Sequence, residues 1–173
     1  MVVVQDSFRE RVDYQLIGGV RYAMSPRPTI SHIRVARQIL FMLTKKLEDT
    51  DCDVFNDCPD VYLTSEDNYI PDVIVICNPE IIDEKGVHGA PDLVVEVLSP
   101  STARHDRGKK KEIYGKTGVR EYWIVDIFNH SVEVYRPKNS EMELIGIYTP
   151  SSEFESAIEG INIEVSEIFK DVM

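Results

Sequence analysis

Two Val- and Ile-rich runs, each opened by a Pro-Asp pair, constrain this chain more than any other feature. They are Pro71-Asp72-Val73-Ile74-Val75-Ile76 and Pro91-Asp92-Leu93-Val94-Val95-Glu96-Val97-Leu98. Such a density of β-branched residues predicts buried strands, over Tyr69–Cys77 and Asp92–Leu98. Proline at a strand start is tolerated because its missing N–H costs no ladder bond there. A lone carboxylate inside an apolar strand is costly unless it is paired, protonated or bound to a metal. Glu96 is the sharpest case, with three apolar residues before it and two after it.

Geometry narrows the choice. Asp92 and Glu96 share a strand face, but about 13 Å separates their Cα atoms, too far to share one ion. Antiparallel pairing through residues 78–90 instead brings Asp72 within one register step of Glu96. Two carboxylates on adjacent strands form a hard oxygen site for Mg²⁺ or Mn²⁺. Such a site polarises a phosphoryl group and activates water. Structural ion pairs also occupy strands, so the residues alone leave a ligand pair and a structural pair about equally open for Asp72 and Glu96. Asp92, at a strand end, reads rather as a cap for local backbone N–H groups.

The remaining pattern is mixed α/β or α+β. Tyr14–Ile17 and Val20–Met24 flank Gly18-Gly19 and predict an N-terminal β-hairpin, ended by Ser25-Pro26. Ser31 is a candidate N-cap for a helix over 31–48, whose apolar face is Ile33, Ala36, Leu40, Leu43 and Leu47. Short strands are expected at Val54-Phe55 and Val61–Leu63. A second helix is expected over 103–116, stopped by Gly118. Strands follow at Glu121–Phe128, Ser131–Arg136 and Leu144–Tyr148, with a closing helix at Ser166–Lys170.

The 173 residues fit a single domain over 1–173. Cys52, Cys58 and Cys77 include no Cys-x-x-Cys pair and are too few for a disulfide framework, so three reduced thiols are expected. The N-terminus lacks a basic start and an apolar stretch, and no apolar run approaches the ~20 residues that span a bilayer. The expectation is a cytoplasmic protein with no membrane association. A net charge of −11 argues against wrapping long nucleic acid non-specifically. One basic segment stands out: Arg104, Arg107, Lys109, Lys110, Lys111, Lys116 and Arg120 against Asp106 and Glu112. From charge alone it reads as a helix paired with acidic neighbours, and secondarily as a phosphate contact.

Phosphate-loop, dinucleotide, nucleophile-elbow and zincin motifs are all absent. Within the second helix, Asp106, Lys110 and Tyr114 recur every four residues and share a face. An ammonium there can orient a water or neutralise charge developing on phosphorus. Without that context Lys110 reads as a solvated helix face. His32 follows the expected N-cap and reads as a half-exposed polar residue, with a supporting role in catalysis as the alternative.

The block Pro91 to Thr102, then Asp106-x-x-x-Lys110-x-x-x-Tyr114, then Gly118 to Asp126 resembles the Uma-two family of restriction endonucleases, in the PD-(D/E)xK superfamily. The likeness runs from Tyr14–Ile17 through Ser31-His32 and Pro71-Asp72 to Val132–Tyr135. It implies a restriction-endonuclease-like fold, a mixed β-sheet flanked by helices, and Mg²⁺-dependent cleavage of DNA. It implies that Asp72 and Glu96 hold the metal and that Lys110 completes the catalytic set. Superfamily members often carry the lysine two residues after the second acid, where this chain has Leu98; the family carries it on the next helix. Gln15, His32, Asp92, Asp106 and Tyr114 are supporting candidates. Arg104, Arg107, Lys109 and Lys111 are candidates for the DNA backbone, and a homodimer would serve two strands. Where the family has Tyr-Glu-Leu-Ile-Asp-Gly-Glu, this chain has Gln15, Gly18 and Val20 at the acids. Loss of charge at Gln15 weakens metal affinity and leaves a non-catalytic module as the alternative to an endonuclease.

Overall fold

The computed structural model describes residues 14–23, 27–56, 59–100, 102–170 and 172. The expected hairpin end at Ser25-Pro26 and the thiol of Cys58 lie outside them. In chain order the elements are β1 (Tyr14–Ile17), β2 (Val20–Ala23), α1 (Ile30–Lys46), β3 (Asp53–Asn56), β4 (Val61–Tyr62), β5 (Asn68–Tyr69) and β6 (Val73–Ile76). After a 3₁₀ turn come β7 (Ile82–Asp83), β8 (Gly86–His88), β9 (Leu93–Val97), α2 (Ala103–His105) and α3 (Lys111–Thr117). The chain closes with β10 (Glu121–Asp126), β11 (Ser131–Lys138), β12 (Glu141–Tyr148), β13 (Glu153–Glu155), β14 (Asn162–Glu164) and α4 (Val165–Ile168).

The fold is mixed α+β with two mixed sheets. One runs β2-β1-β5-β4-β8-β7 and the other β12-β11-β10-β9-β6-β3, with β13-β14 as a separate pair. The N-terminal hairpin forms as expected, with Gly18 and Gly19 at φ 55° and 77° in its turn. One face of the second sheet carries Val73, Val75, Val95, Trp123 and Val134 against α1 and α4. The opposite face carries Ile74, Val94, Tyr122 and Ile124 against α3 and the first sheet. Alternation along each strand divides the residues between these two cores.

The structure shifts several expected boundaries. Thr29, not Ser31, caps α1: its hydroxyl accepts from His32 N at 3.2 Å. The buried face is Val35, Ala36, Ile39, Met42 and Leu43, while Ile33 is exposed. Apolar residues ring most of this helix, so spacing alone does not choose the face. The run expected as one strand over 69–77 is two. Tyr69 ends β5 in the first sheet, Val73 starts β6 in the second, and Pro71-Asp72 spans the crossing. Proline contributes no N–H there.

The helix expected over 103–116 is broken at Gly108, whose φ −110° and ψ −107° lie outside any helical region. The widened turn over 106–110 turns both Asp106 and Lys110 into the core. Cys52 and Cys77 are joined in a disulfide rather than reduced. The β3–β6 register pairs Asp53 with Ile76, so the next pair outward sets the two cysteines face to face. Among the described residues, no helix is long and apolar enough to cross a membrane.

Candidate active site

The β6–β9 ladder pairs Val73 with Val95 and Ile74 with Val94. Continued by one residue, it sets Asp72 opposite Glu96. The two acids therefore leave the sheet on one face, at the point where the chain crosses between sheets.

Asp72 sits at the solvent boundary. Its Oδ2 accepts from Val97 N at 2.7 Å and lies 3.3 Å from His32 Nε2. His32 Nε2 also lies 3.0 Å from the Val97 carbonyl, which can only accept, so this nitrogen carries the proton. Burial of His32 opposes its charge, but hydrogen bonding and attraction from Asp72 outweigh that and raise its pKa. His32 is thus a holder of the Asp72 carboxylate, not the half-exposed residue its position after a cap suggests. Its side chain is 14% exposed.

Glu96 is buried on the inner side. Its Oε1 accepts from Lys110 Nζ at 2.8 Å and from Tyr114 OH at 3.1 Å. Burial pushes its pKa up to about 8, against the pull of the Lys110 ammonium, with repulsion from Asp106 and Asp72 adding to the rise. Lys110 is 2% exposed, so it is no solvated helix residue. Burial opposes its charge, but Glu96 and Asp106 dominate and hold its pKa above the ordinary lysine value. Nζ lies 3.2 Å from Asp106 Oδ1, yet without hydrogen-bonding geometry: both Asp106 oxygens are buried and, among the described residues, find no hydrogen-bond partner.

The Tyr69 ring lies 5.7 Å from Lys110 Nζ and packs edge-on against Tyr114 at 5.5 Å. Tyr69 carries no mark in the sequence that would single it out, since its role depends on the first sheet folding over the second. Gln15 and Ile17 point to the same buried side of β1, and Ile17 belongs to the inner core with Tyr69 and Tyr114. Gln15 Oε1 is buried and, among the described residues, has no hydrogen-bond partner.

The structure brings Asp72, Glu96, Lys110, Asp106, Tyr114 and His32 into one linked cluster. It removes Asp92 from it. That carboxylate accepts from Cys77 N at 2.7 Å and pairs with Arg120 at 2.9 Å, a cap at the far end of β9. The basic candidates divide. Arg104 is exposed. Arg107 is engaged by Glu133 at 2.5 Å and Asp126 at 3.9 Å, so it is committed to an acidic pair. Lys109 is 3.7 Å from Glu112, and Lys111 lies over the Tyr135 ring at 4.8 Å.

Asp72 and Glu96 offer the hard oxygen donors a divalent cation takes, but among the described residues no third His, Cys, Asp or Glu ligand atom closes with theirs within 4.8 Å. Among the described residues, hydrogen bonds engage Oδ2 of Asp72 and Oε1 of Glu96, which leaves one oxygen of each carboxylate for an ion. Asp106, ion-paired with Lys110 at 3.2 Å, is a further carboxylate beside them.

Comparison with known proteins agrees with the fold. The profile of the Uma2 (Uma-two) family, described as a putative restriction endonuclease, matches residues 4–166. The uncharacterised protein slr1290 of Synechocystis is 28% identical over 164 residues, spanning 94% of this chain and 86% of that protein. A crystal structure described as a putative nuclease belonging to DUF820, from Anabaena variabilis, superposes with a TM-score of 0.74 at 19% identity. That superposition covers 91% of this chain and 89% of the other, and at such identity it speaks for the fold alone.

Proposed function

The chain belongs to the Uma2 family, and from that premise we propose that it is a divalent-metal-dependent endonuclease that hydrolyses DNA phosphodiester bonds. The observation that carries this reading is the β6–β9 register, which sets Asp72 opposite Glu96 with Lys110 Nζ 2.8 Å from the latter. Asp72 and Glu96 would hold Mg²⁺ or Mn²⁺, which supplies polarisation of the phosphoryl oxygen and a more acidic water. The chain's own groups do the rest. His32 fixes the Asp72 carboxylate against the Val97 backbone. Tyr114 orients Glu96. Lys110 places a positive charge where negative charge develops on phosphorus, and its burial keeps that charge unscreened. Arg104, Lys109 and Lys111 would meet the backbone, and a homodimer would put two sites on opposite strands.

The test is nicking of supercoiled plasmid with Mg²⁺ or Mn²⁺. Asp72→Ala, Glu96→Gln and Lys110→Ala are each expected to lower the rate at least about 100-fold. Calorimetry of Mn²⁺ binding should lose its signal in the first two and keep it in the third. Wild-type protein that binds Mn²⁺ without cutting DNA, RNA or branched junctions would defeat the nuclease reading. A second reading, a nuclease fold that has lost turnover, is favoured by one observation: Glu96 is 4% exposed and already bonded to Lys110 and Tyr114. Absence of both Mn²⁺ binding and cleavage would select it.

A further inference from the structure

At the opposite end of β6 from Asp72, a second set of ligands converges. Cys52 precedes β3 and Cys77 follows β6, and the two are half-buried at the edge of the second sheet. Glu159 reaches them from the turn between β13 and β14. The two sulfurs and a Glu159 carboxylate oxygen all lie within 4.8 Å of one another. They line an open cleft of ≈ 430 Å³ together with Asp49, Thr50 and Asp51.

The surroundings select a cation. Asp49 and Asp51 flank the cysteine pair, and among the described residues no lysine or arginine lines the cleft. The loop is built rather than loose. Thr50 N donates to Leu47 O at 3.0 Å, Thr50 Oγ1 donates to the same carbonyl at 2.8 Å, and Cys52 N donates to Thr50 Oγ1 at 3.2 Å. Glu159 is held on its side by fully buried Ile158 next to it and by an Ile161 N to Ile158 O bond of 3.3 Å. Its own φ of 53° is left-handed, and its side chain is exposed in the turn.

We propose that Cys52, Cys77 and Glu159 form a redox-gated site for a thiophilic divalent cation, with Zn²⁺ the fitting ion. In the disulfide form the sulfurs are spent on each other. A thiol reductant delivers two electrons to the disulfide, breaks the S–S bond and leaves two protein thiols, while the reductant is itself oxidised to a disulfide. Binding of the ion then displaces one proton from each thiol, giving two metal–thiolate bonds. Two thiolates, one carboxylate and a water make up a tetrahedral set with ligand atoms about 3.5–4 Å apart; the bonded sulfurs part to that spacing once reduced, and the Glu159 oxygen already lies within 4.8 Å of both. Oxygen-preferring Mg²⁺ is disfavoured by the two sulfurs, so the site is distinct in chemistry from the Asp72–Glu96 pair. When loaded, it would tie the β3–β6 edge to the β13–β14 turn.

The experiment uses the full chain in a Cys58→Ser background, reduced with a thiol and exchanged anaerobically into buffer. Co²⁺ is titrated as the probe, and thiolate-to-cobalt charge-transfer absorption in the near-ultraviolet is followed. Zn²⁺ is then added in competition. One equivalent of Co²⁺ should produce the band, and Zn²⁺ should abolish it. The oxidised protein and Cys77→Ser should show no band. Glu159→Gln, at an exposed position that leaves the fold intact, should retain the band and weaken affinity 10- to 100-fold. Because the band requires sulfur, Co²⁺ held by Asp72 and Glu96 does not contribute. A reduced protein that shows no band, or a Glu159→Gln variant with unchanged affinity, would overturn the assignment.

Discussion

Replacing Glu121 by alanine is expected to cost about 3–5 kcal/mol of folding stability, a large share of the ~5–15 kcal/mol that holds a typical domain folded. The side chain is fully buried, yet every contact it needs is met. Oε1 accepts from Trp123 Nε1 at 2.8 Å and from Ser156 Oγ at 2.7 Å. Oε2 accepts from Arg136 Nε at 2.7 Å and from Ala157 N at 2.8 Å. One carboxylate therefore fastens β10, β11 and the segment after β13 together. Alanine leaves the buried Trp123 and Ser156 donors unmet and strands the Arg136 charge. Glutamine keeps one acceptor and is expected to cost about half as much. Trp123 is the one tryptophan of the chain, so urea unfolding followed by its fluorescence reads the network directly. A loss below about 1 kcal/mol would show that the donors find other partners. Trp123 and Tyr122 project to opposite faces of β10, so the cluster around Lys110 is untouched by this change.

Why the site is more legible from sequence than this network follows from how each is encoded. Asp72 and Glu96 interrupt runs of Val and Ile, and a carboxylate in such company announces itself through the cost of burying it. Their meeting depends on register. Pairing Asn78 with Pro91 would set Asp72 opposite Val97 and so on the wrong face; the observed ladder is one residue over. The 78–90 connection, with its own short strands β7 and β8, leaves that step undetermined from sequence. Lys110 is readable only through its spacing from Asp106 and Tyr114, and even that spacing conceals the break at Gly108. A regular helix would place these residues on a stripe; the break turns two of them inward. Cys52 and Cys77 are 25 residues apart with no motif between them, and only the β3–β6 pairing makes them neighbours. Glu121 and Ala157 are separated by 36 residues and meet through a hairpin the sequence pattern does not disclose. Local chemistry is written locally; long-range closure is written in packing.

Glu96 also makes the stability of the protein depend on pH, and its removal should flatten that dependence. Its pKa is about 8 in the fold against 4.5 for an ordinary glutamate. Between those values the folded chain holds a proton that the unfolded chain has released. Stability from this group is therefore complete below about pH 4.5 and falls as pH rises, at up to roughly 1.4 kcal/mol per pH unit, until it is lost above about pH 8. Glu96→Gln mimics the protonated form and keeps an acceptor for Lys110 and Tyr114. Relative to wild type, the variant should gain stability as pH rises from 5 to 8, by about 2–4 kcal/mol in total. His32, with its raised pKa, also favours the fold at low pH and loses that contribution as pH rises, but it is present in both proteins and largely cancels in the comparison. Lys110 responds above the ordinary lysine range, outside this window. Urea midpoints of both proteins at four pH values, in chelator, read the difference. Adding Mn²⁺ at pH 8 should then restore wild type and leave the variant unmoved, since only an ionised Glu96 offers the ion its oxygen. Parallel pH profiles for the two proteins would mean that Glu96 ionises as freely inside the fold as outside it, and that the Lys110 ammonium outweighs the burial of this carboxylate.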